Sequence, residues 1–549
     1  MGWRVILLAP LIFLAVFFFY PFLRILGVSL IPESQLDLSG FVRLVTGEYY
    51  RNILFFSLGQ AFISTLLTLL LALPSAYVFT RYQFRGKTLF LSLSTLPFVL
   101  PTVVVAAAFT ALIGPRGVLN NLLMSLFQLE SPPIQLDRTL FIILIVHVFY
   151  NYAVALRIIT SYWANQNPRI EQAARVLGAN SWKLWWYIRL PILRPAITAA
   201  AVLVFIFTFT SFGVVLLLGG PRFATLEVEI YRQTINLFNL PVAAALSLVQ
   251  IGLMSAMILV YTRLQRRISS EIVSASTVAQ APKNRYEWFV VRVTLVFVSV
   301  LLFSPLLALV LLSFTVGSEG ITLQYYEQLN VNARGSILFV APLQAVKNSL
   351  VFATATTVLA VSLGFLSAYL LARSPRWSAL LDPLFMLPLA TSAVTLGFGF
   401  IITFDKAPLN LRQSAVLMPL AHTLVAMPFV IRSVLPALRA IPPNILEAAE
   451  VLGASAWSRW RWIEFPLIRR ALLVGATFAF TISMGEFGAS SFIFRPDTPT
   501  IPIAIFRLLG QPGSSNYGQA LAMSSLLMFV SAFSFVLIER LRPTSREEF

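Results

Sequence analysis

Long apolar segments alternate with short polar segments along the whole chain. About 20 consecutive apolar residues suffice to cross a bilayer as an α-helix, and the chain offers twelve such segments. Within them the apolar residues are continuous rather than alternating, which favours helices over the strands of a membrane β-barrel. The predicted spans 1 to 6 are residues 5–30, 53–79, 88–114, 139–162, 194–218 and 240–262, and spans 7 to 12 are residues 289–315, 346–372, 378–403, 413–436, 470–493 and 515–537.

The chain divides into two similar halves. A polar stretch from Ser269 to Lys283 follows span 6 and is typical of a linker. We predict a first domain at residues 1–268, a linker at 269–288 and a second domain at 289–549. Several residues recur 275 positions later, and Ser75-Ala76-Tyr77 recurs 292 positions later as Ser367-Ala368-Tyr369. The fold class is therefore an all-α polytopic membrane protein with two homologous six-helix halves, related by an axis along the membrane normal.

Composition agrees with a membrane protein. Of the 549 residues, 58% are hydrophobic and 11% charged, and a soluble chain of this length cannot bury that much apolar surface. The absence of cysteine excludes disulfides and thiolate metal sites.

The net charge of +18 predicts an orientation rather than a nucleic-acid partner. The basic residues cluster after the even-numbered spans, as the positive-inside rule predicts for cytoplasmic loops. They are Arg81, Arg85, Lys87, Arg169, Arg175, Lys183, Arg189, Arg263, Arg266, Arg267, Arg373, Arg376, Arg439, Arg459, Arg461, Arg540, Arg542 and Arg546. The opposite loops carry the acids Glu33, Asp37, Glu48, Glu319 and Glu327. Both termini are therefore predicted to be cytoplasmic.

A polar loop between spans 4 and 5 recurs between spans 10 and 11, at residues 168–194 and 443–469. A polar segment that repeats inside an apolar chain indicates two matching docking points. Gly178 and Gly453 suit the left-handed end of a helix. Each copy therefore predicts a short helix that starts at a proline, a turn, and an interfacial stretch rich in tryptophan. The prolines that close the two stretches before the next span are Pro191 and Pro466.

This repeated loop resembles the EAA loop of binding-protein-dependent ABC importer permeases. The second copy, Glu447-Ala448-Ala449 to Gly453, fits closely, whereas the first has Gln172 at the glutamate position and Glu171 one residue earlier. The resemblance implies two fused type I ABC transmembrane domains, each with a coupling helix seated in a groove of an ATPase subunit. The residues that it assigns to coupling are Glu171, Gln172, Ala173, Ala174, Gly178, Pro191, Glu447, Ala448, Ala449, Gly453 and Pro466.

The same resemblance implies partners and a location. They are two copies of an ABC ATPase, an extracytoplasmic solute-binding protein and the lipid of a bacterial or archaeal cytoplasmic membrane. ATP and magnesium are then used by the ATPase, and this chain is predicted to bind no cofactor and to catalyse no reaction. Gly86-Lys87-Thr88 superficially suggests a phosphate loop, but Arg81 stands where that loop needs its first glycine.

The two histidines of the chain occupy matching positions, His147 in span 4 and His422 in span 10. A metal-ligand role lacks support, since no His-x-x-x-His spacing is present. Neutral histidines that form hydrogen bonds between helices are the favoured interpretation.

An ionisable residue within a span is a functional candidate. Glu486 is predicted to lie past the middle of span 11, about 24 Å along its helix at 1.5 Å per residue, and Ser211 holds the matching position. Either this carboxylate meets a cationic solute in a central cavity, or it pairs with helix ends or hydroxyl groups. The candidate pathway residues are Ser211, Phe212, Glu486, Phe487 and Gly488.

The loops after spans 5 and 11 are candidates for an outer gate or for simple caps of the spans. They contain Gly219-Gly220-Pro221, Thr225, Glu227, Glu229 and Tyr231 in one half and Arg495-Pro496-Asp497, Thr500, Pro502 and Phe506 in the other.

The cargo is indicated only by resemblance. The segment around Ser211-Phe212-Gly213 is similar to thiamine importer permeases, and Ser483 to Gly488 is similar to both thiamine and ferric-iron permeases. Thiamine is favoured and ferric iron is the alternative. A secondary transporter driven by an ion gradient is the alternative from another class, although the paired loops count against it. A membrane enzyme would need a cluster of acid, base or nucleophile, which the sequence lacks.

Overall fold

The computed structural model describes residues 8–31, 37–270, 279–315, 320–331, 341–405 and 409–541. Every named secondary-structure element in these ranges is helical. Some predictions fall outside them: both chain ends, linker residues 271–278 and the loop residues Glu33, Glu319, Arg542 and Arg546.

Eleven helices of the described ranges are long and apolar enough to cross a membrane. They are Ala9–Leu30, Glu48–Arg81, Thr102–Phe127, Leu140–Ala164, Ser181–Phe209, Leu240–Leu264, Arg285–Ser313, Pro342–Arg373, Leu417–Arg439, Ala456–Gly485 and Ser514–Leu541. A bent pair, Trp377–Leu389 and Ala393–Thr403, makes a twelfth candidate. The shorter helices are Ser39–Thr46, Lys87–Leu93, Leu96–Val99, Pro168–Val176, Gly213–Leu218, Leu226–Tyr231, Gln324–Glu327, Pro443–Val451, Ser490–Ile493 and Ile501–Leu509.

Spans 3 and 9 are not the continuous helices that the sequence predicts. Span 3 breaks at Leu100, whose backbone is extended (ψ 140°) because Pro101 follows it. The helix after this break ends at Ile113, close to the predicted end of span 3 at residue 114, and a separate helix, Val118–Phe127, follows a short turn. Span 9 bends by 88°, and Ser392 caps its second part by accepting the Val394 N–H at 3.1 Å.

Spans 5 and 11 start earlier than predicted. The predicted interfacial stretches with their tryptophans are the first turns of the helices Ser181–Phe209 and Ala456–Gly485. Pro191 and Pro466 therefore lie inside a helix rather than before one. Each follows a five-residue π-helical segment, Trp185–Arg189 or Trp460–Glu464. A proline removes one helical hydrogen bond and crowds the preceding turn, and the wider π turn accommodates this.

The predicted sequence repeat is confirmed by matching contacts. Ser57 Oγ accepts the N–H of Leu226 at 2.9 Å, and Ser349 Oγ accepts the N–H of Ile501 at 2.8 Å. These pairs follow the offsets of 292 and 275 read from the sequence.

Each half is built on one packed triplet of spans. Spans 2, 4 and 5 pack together in the first half, and spans 8, 10 and 11 do so in the second. The halves also exchange helices. Span 7 packs on Thr102–Ile113 of the first half, and Tyr20–Leu30 of span 1 packs on Ala393–Thr403 of the second. This exchange interlocks the two halves around the breaks in spans 3 and 9.

Candidate coupling and transport sites

The two repeated loops each contain a short helix, which we call the first loop helix (Pro168–Val176) and the second loop helix (Pro443–Val451). Both end in the same way. Gly178 and Gly453 have positive φ angles of 82° and 81°, and the next N–H in each copy donates to a carbonyl five residues back, at 3.0 and 2.9 Å. The predicted left-handed helix ends are confirmed.

The loop helices present an apolar pair at their exposed ends. Val176 and Leu177 are 88% and 87% exposed, and Val451 and Leu452 are 87% and 86% exposed. These loops join the ends of spans, and their helices are too short to cross a membrane. Apolar side chains that stand out in this way, twice, at matching positions, indicate surfaces that a partner covers.

The other coupling candidates divide into outward and inward positions. Ala174 and Ala449 are buried and seat the loop helices on the protein. The exposed members are Gln172, Ala173, Gly178, Glu447, Ala448 and Gly453. Gln172 and Glu447 thus occupy equivalent outward positions.

Glu171 turns inward and does not replace the missing acid at Gln172. Its carboxylate oxygens accept two hydrogen bonds from the guanidinium of Arg189, at 2.9 and 2.8 Å. Burial raises the pKa of Glu171, but the hydrogen bonds and charge of Arg189 outweigh burial and hold this pKa below its ordinary value. The ion pair ties the first loop helix to the start of span 5.

The second half is held together differently. Leu446, buried, stands at the position of Glu171, and Glu464 stands at the position of Arg189. Glu464 instead pairs with Arg373, at the end of span 8. The two loop helices therefore share their exposed faces but not their anchors.

We predict that Glu171→Gln loosens the first loop helix. A hydrogen bond to a charged group contributes about 1.5–3 kcal/mol, so local opening should become roughly 10- to 100-fold more frequent. Hydrogen exchange of the amides in residues 168–176 measures this directly.

Glu447→Gln is the matched control, because among the described residues Glu447 has no salt-bridge partner. It should leave that exchange unchanged. The unsubstituted chain should loosen as pH falls below 4.5, since a carboxylate with a lowered pKa loses its stabilising contribution there. If these amides exchanged at the same rate in the wild type and in Glu171→Gln, the Glu171–Arg189 ion pair would not be what anchors the first loop helix.

Spans 5 and 11 both break where the two halves meet. Phe212 and Phe487, at equivalent positions, stack on each other with ring centroids 5.6 Å apart and 25° between planes. Tyr231 packs on Phe212 at 5.5 Å, and its equivalent Phe506 packs on Phe487 at 5.4 Å. Phe212 and Phe487 are buried. We call these four rings the aromatic closure.

Glu486 does not lie within a helix, contrary to prediction. It is the first residue after the helix that ends at Gly485, and its backbone is extended (ψ 123°). Its carboxylate accepts the backbone N–H groups of Ala489 and Ser490 at 2.8 and 2.9 Å and the Ser490 hydroxyl at 2.7 Å. These contacts are the predicted pairing with helix ends and hydroxyls, and the predicted role toward a cationic solute stays a prediction.

The hydrogen bonds predicted for the two histidines are confirmed. His147 Nδ1 lies 3.1 Å from Ser64 Oγ and its Nε2 lies 2.8 Å from Ser211 Oγ. His422 Nδ1 lies 2.7 Å from Ser483 Oγ. The Nε2 atom of His422 also lies 3.4 Å from the carboxylate of Glu486. Ser211 and Glu486 are thus equivalent partners of equivalent histidines. Among the described residues no group of three or more His, Cys, Asp or Glu is placed to hold a metal.

The breaks in spans 5 and 11 each require a glycine directly after the stacked phenylalanine. A Cβ atom on Gly488 would lie 2.9 Å from Ala393 Cβ, and one on Gly213 would lie 2.2 Å from Thr102 Oγ1. These contacts bring the breaks of spans 5 and 11 against the breaks of spans 3 and 9.

The segments after spans 5 and 11 each begin with exposed residues, among them Pro221 and Pro496, and then fold back into the protein. Glu227 and Glu229 are buried. Glu227 accepts a hydrogen bond from Gln250 at 2.6 Å, and Glu229 accepts one from Gln233 at 2.6 Å and one from the Tyr49 hydroxyl at 2.9 Å.

Two features of the repeated loops were not predicted, although the sequence carries a signal for each. The dipeptide Val-Leu precedes both Gly178 and Gly453, and its recurrence in the sequence indicated the two exposed apolar pairs. The replacement of Arg189 by Glu464 at the 275 offset marked the change of anchor.

Two interlocked halves of membrane helices, with matching exposed loop helices and a shared aromatic closure, define a pseudo-twofold membrane transport subunit. Residues 64–270 and 360–547 each match the family described as the inner membrane component of binding-protein-dependent transport systems. The chain belongs to this family and carries its domain twice, as a fused permease.

Curated relatives agree with this assignment. The chain is 28% identical over 502 residues to the thiamine transport system permease protein of Escherichia coli, covering 90% of this chain and 89% of that protein. It is 27% identical to the protein of the same name from Haemophilus influenzae, covering 90% of each. A probable ABC transporter permease of Sinorhizobium fredii is 24% identical, covering 98% of this chain and 96% of that protein.

Proposed function

We propose that this chain is the membrane subunit of an ABC importer that moves thiamine into the cytoplasm. A solute-binding protein delivers the thiamine, and two copies of a separate ATPase hydrolyse ATP with magnesium. The chain itself binds no nucleotide, and both of its termini lie in the cytoplasm. The loop helices face the ATPases.

The observation that carries this proposal is the repeated exposed apolar pair on the loop helices. Two equivalent pairs fit two copies of one partner. Each loop helix is followed at once by a long helix, of 29 residues in span 5 and 30 in span 11. At about 1.5 Å per residue these are rods of roughly 45 Å. The far end of each rod leads directly into Phe212 or Phe487.

These rods supply the mechanism. When the ATPases close or open, they move the loop helices, and the rods carry that motion to the aromatic closure. The first loop helix moves its rod through the Glu171–Arg189 ion pair, at 2.8 Å. Separation of Phe212 from Phe487 then opens a passage between the halves.

The aromatic closure supports a cationic cargo. Aromatic faces attract cations over short distances, and thiamine carries a positive charge. The carboxylate of Glu486 is occupied by helix-end groups in this conformation, so ring faces line the passage that opens. The names of the relatives at 27–28% identity support thiamine over ferric iron.

Reconstitution tests the proposal. Liposomes that contain the chain, its ATPase and its binding protein should accumulate radiolabelled thiamine only with ATP. Labelled ferric iron offered in the same way should stay outside. Uptake of iron instead of thiamine would overturn the cargo. Thiamine uptake by the chain alone under an ion gradient would overturn the ATP-driven mechanism.

A further inference from the structure

A cavity of about 380 Å³ lies at the base of the first half. It is bounded by the first loop helix, the end of span 2, the start of span 5 and the segment that leads into span 7. Backbone hydrogen bonds tie that segment to span 2: Gln83 N–H donates to Gln280 O at 2.9 Å, and Gln280 N–H to Arg81 O at 3.1 Å. The volume falls within the range of about 300–1,000 Å³ that is typical of small-molecule sites.

The charge of this cavity is unbalanced. Four basic side chains and two carboxylates line it: Arg81, Arg175, Arg189 and Lys283, with Glu171 and Glu287. Arg189 is neutralised by Glu171. Among the residues that the structure describes, no carboxylate forms a salt bridge with Arg81, Arg175 or Lys283. Three exposed cations without a salt bridge therefore line the open side of this cavity, and the guanidinium of Arg81 lies 6.0 and 5.9 Å from the ring centres of Tyr77 and Tyr82.

Uncharged groups in the cavity also suit an anion. Thr80 is buried at the edge of the cavity, and its hydroxyl, which is covered in this conformation, has no hydrogen-bond partner among the described residues, so a small rotation of this side chain would let it donate to an anion. The first loop helix, nine residues long, begins at this wall, where Asn167 and Pro168 line it. The N-terminal end of a helix carries a partial positive charge that attracts anions.

The second half has lost these features at the equivalent positions. Arg373, the counterpart of Arg81, is held by Glu464. Glu450 replaces Arg175 and Ala372 replaces Thr80. If these basic residues served only to orient a cytoplasmic loop, they would be expected to recur in the second half with the rest of the repeat. Because they do not all recur, the charge of the first-half cavity is a feature of its own.

We propose that this cavity binds a phosphate-bearing anion, held by Arg81, Arg175, Lys283 and the Thr80 hydroxyl. Arginine and lysine are the side chains that most often bind phosphate oxygens. The phosphate is that of an anionic phospholipid headgroup or of a soluble phosphate ester. Because Arg175 belongs to the first loop helix, the bound anion links this helix to spans 2 and 7.

The test uses the full chain in nanodiscs. In the soluble arm, the discs contain only phosphatidylcholine and inorganic pyrophosphate is titrated in a calorimeter. In the lipid arm, the discs contain one-fifth phosphatidylglycerol, and native mass spectrometry counts the phosphatidylglycerol retained on the chain. The pair of substitutions Arg81→Gln and Lys283→Gln removes two cavity cations. Arg85→Gln with Arg263→Gln removes two exposed charges that do not line the cavity.

We expect one arm to show saturable binding that the cavity variant weakens at least tenfold and the control variant leaves within twofold. Pyrophosphate binding identifies a soluble ester, and retained phosphatidylglycerol identifies a lipid. Binding in neither arm, or equal loss in both variants, would overturn the proposal. The importer function would stand in either case, because no transport is measured.

Discussion

Substitution of Val451→Asp together with Leu452→Asp should reduce ATP-dependent uptake at least tenfold. Full burial of a Val or Leu side chain contributes about 1.5–3 kcal/mol, so loss of the pair removes roughly 3–6 kcal/mol from the contact with the ATPase. A loss of 1.4 kcal/mol is already tenfold in affinity. The chain itself should stay folded, because both side chains are more than 85% exposed. The measurement is thiamine uptake in liposomes, with co-purification of the ATPase as a second readout.

The control is Ile321→Asp with Leu323→Asp, an apolar pair outside the repeated loops whose side chains are 86% and 57% exposed. Its uptake should equal that of the unsubstituted chain. The same aspartates at Val176 and Leu177 should reproduce the defect, because the two loop helices expose the same pair. Normal uptake with all four residues changed would exclude the loop helices as ATPase contacts.

Glu486→Ala should destabilise the chain by about 2–4 kcal/mol. The substitution leaves the buried N–H groups of Ala489 and Ser490 without an acceptor, at a cost of about 1–3 kcal/mol each, not fully additive. The apparent melting temperature of the detergent-solubilised chain measures the effect. Glu486→Ser places the residue of the first half at this position, and its hydroxyl also suits a helix N-cap. It should recover at least half of the loss.

A direct contact between Glu486 and thiamine predicts a different result. In that case the KM for thiamine uptake would rise in both variants, including Glu486→Ser, whose melting temperature is expected to recover. Such a pattern would restore the first of the two roles that the sequence allowed for this carboxylate.

The difference between the two anchors has a consequence for coupling. The first loop helix is held to its rod by an ion pair, and the second by the apolar contact of Leu446 together with a pair, Arg373 and Glu464, that joins spans 8 and 11. An ion pair is direction-dependent, whereas an apolar contact tolerates sliding. The two loop helices are therefore anchored differently, although they expose the same apolar pair.

Local sequence was sufficient wherever a local rule applied. Apolar length predicts the membrane helices because a bilayer offers no water to an unpaired backbone. Gly178 and Gly453 mark the ends of the loop helices because glycine alone adopts the left-handed backbone without cost. The offsets of 275 and 292 predict the paired histidines and the equivalence of Ser211 with Glu486. A repeat of this kind can be recognised from the sequence alone.

The tertiary structure decided what depends on neighbours distant in sequence. Pro191 and Pro466 were predicted to mark helix boundaries, but a π turn before each one lets the helix continue. Such a turn is rare in helices, so its stability here depends on packing in the folded protein. Glu486 was predicted as a charge inside a span, whereas the helix ends at Gly485 and the carboxylate accepts the N–H groups of Ala489 and Ser490. The stacking of Phe212 on Phe487 joins residues 275 positions apart. Sequence therefore determined the class, the repeat and the two loop helices, and tertiary packing decided where the helices break and which aromatic rings meet between the halves.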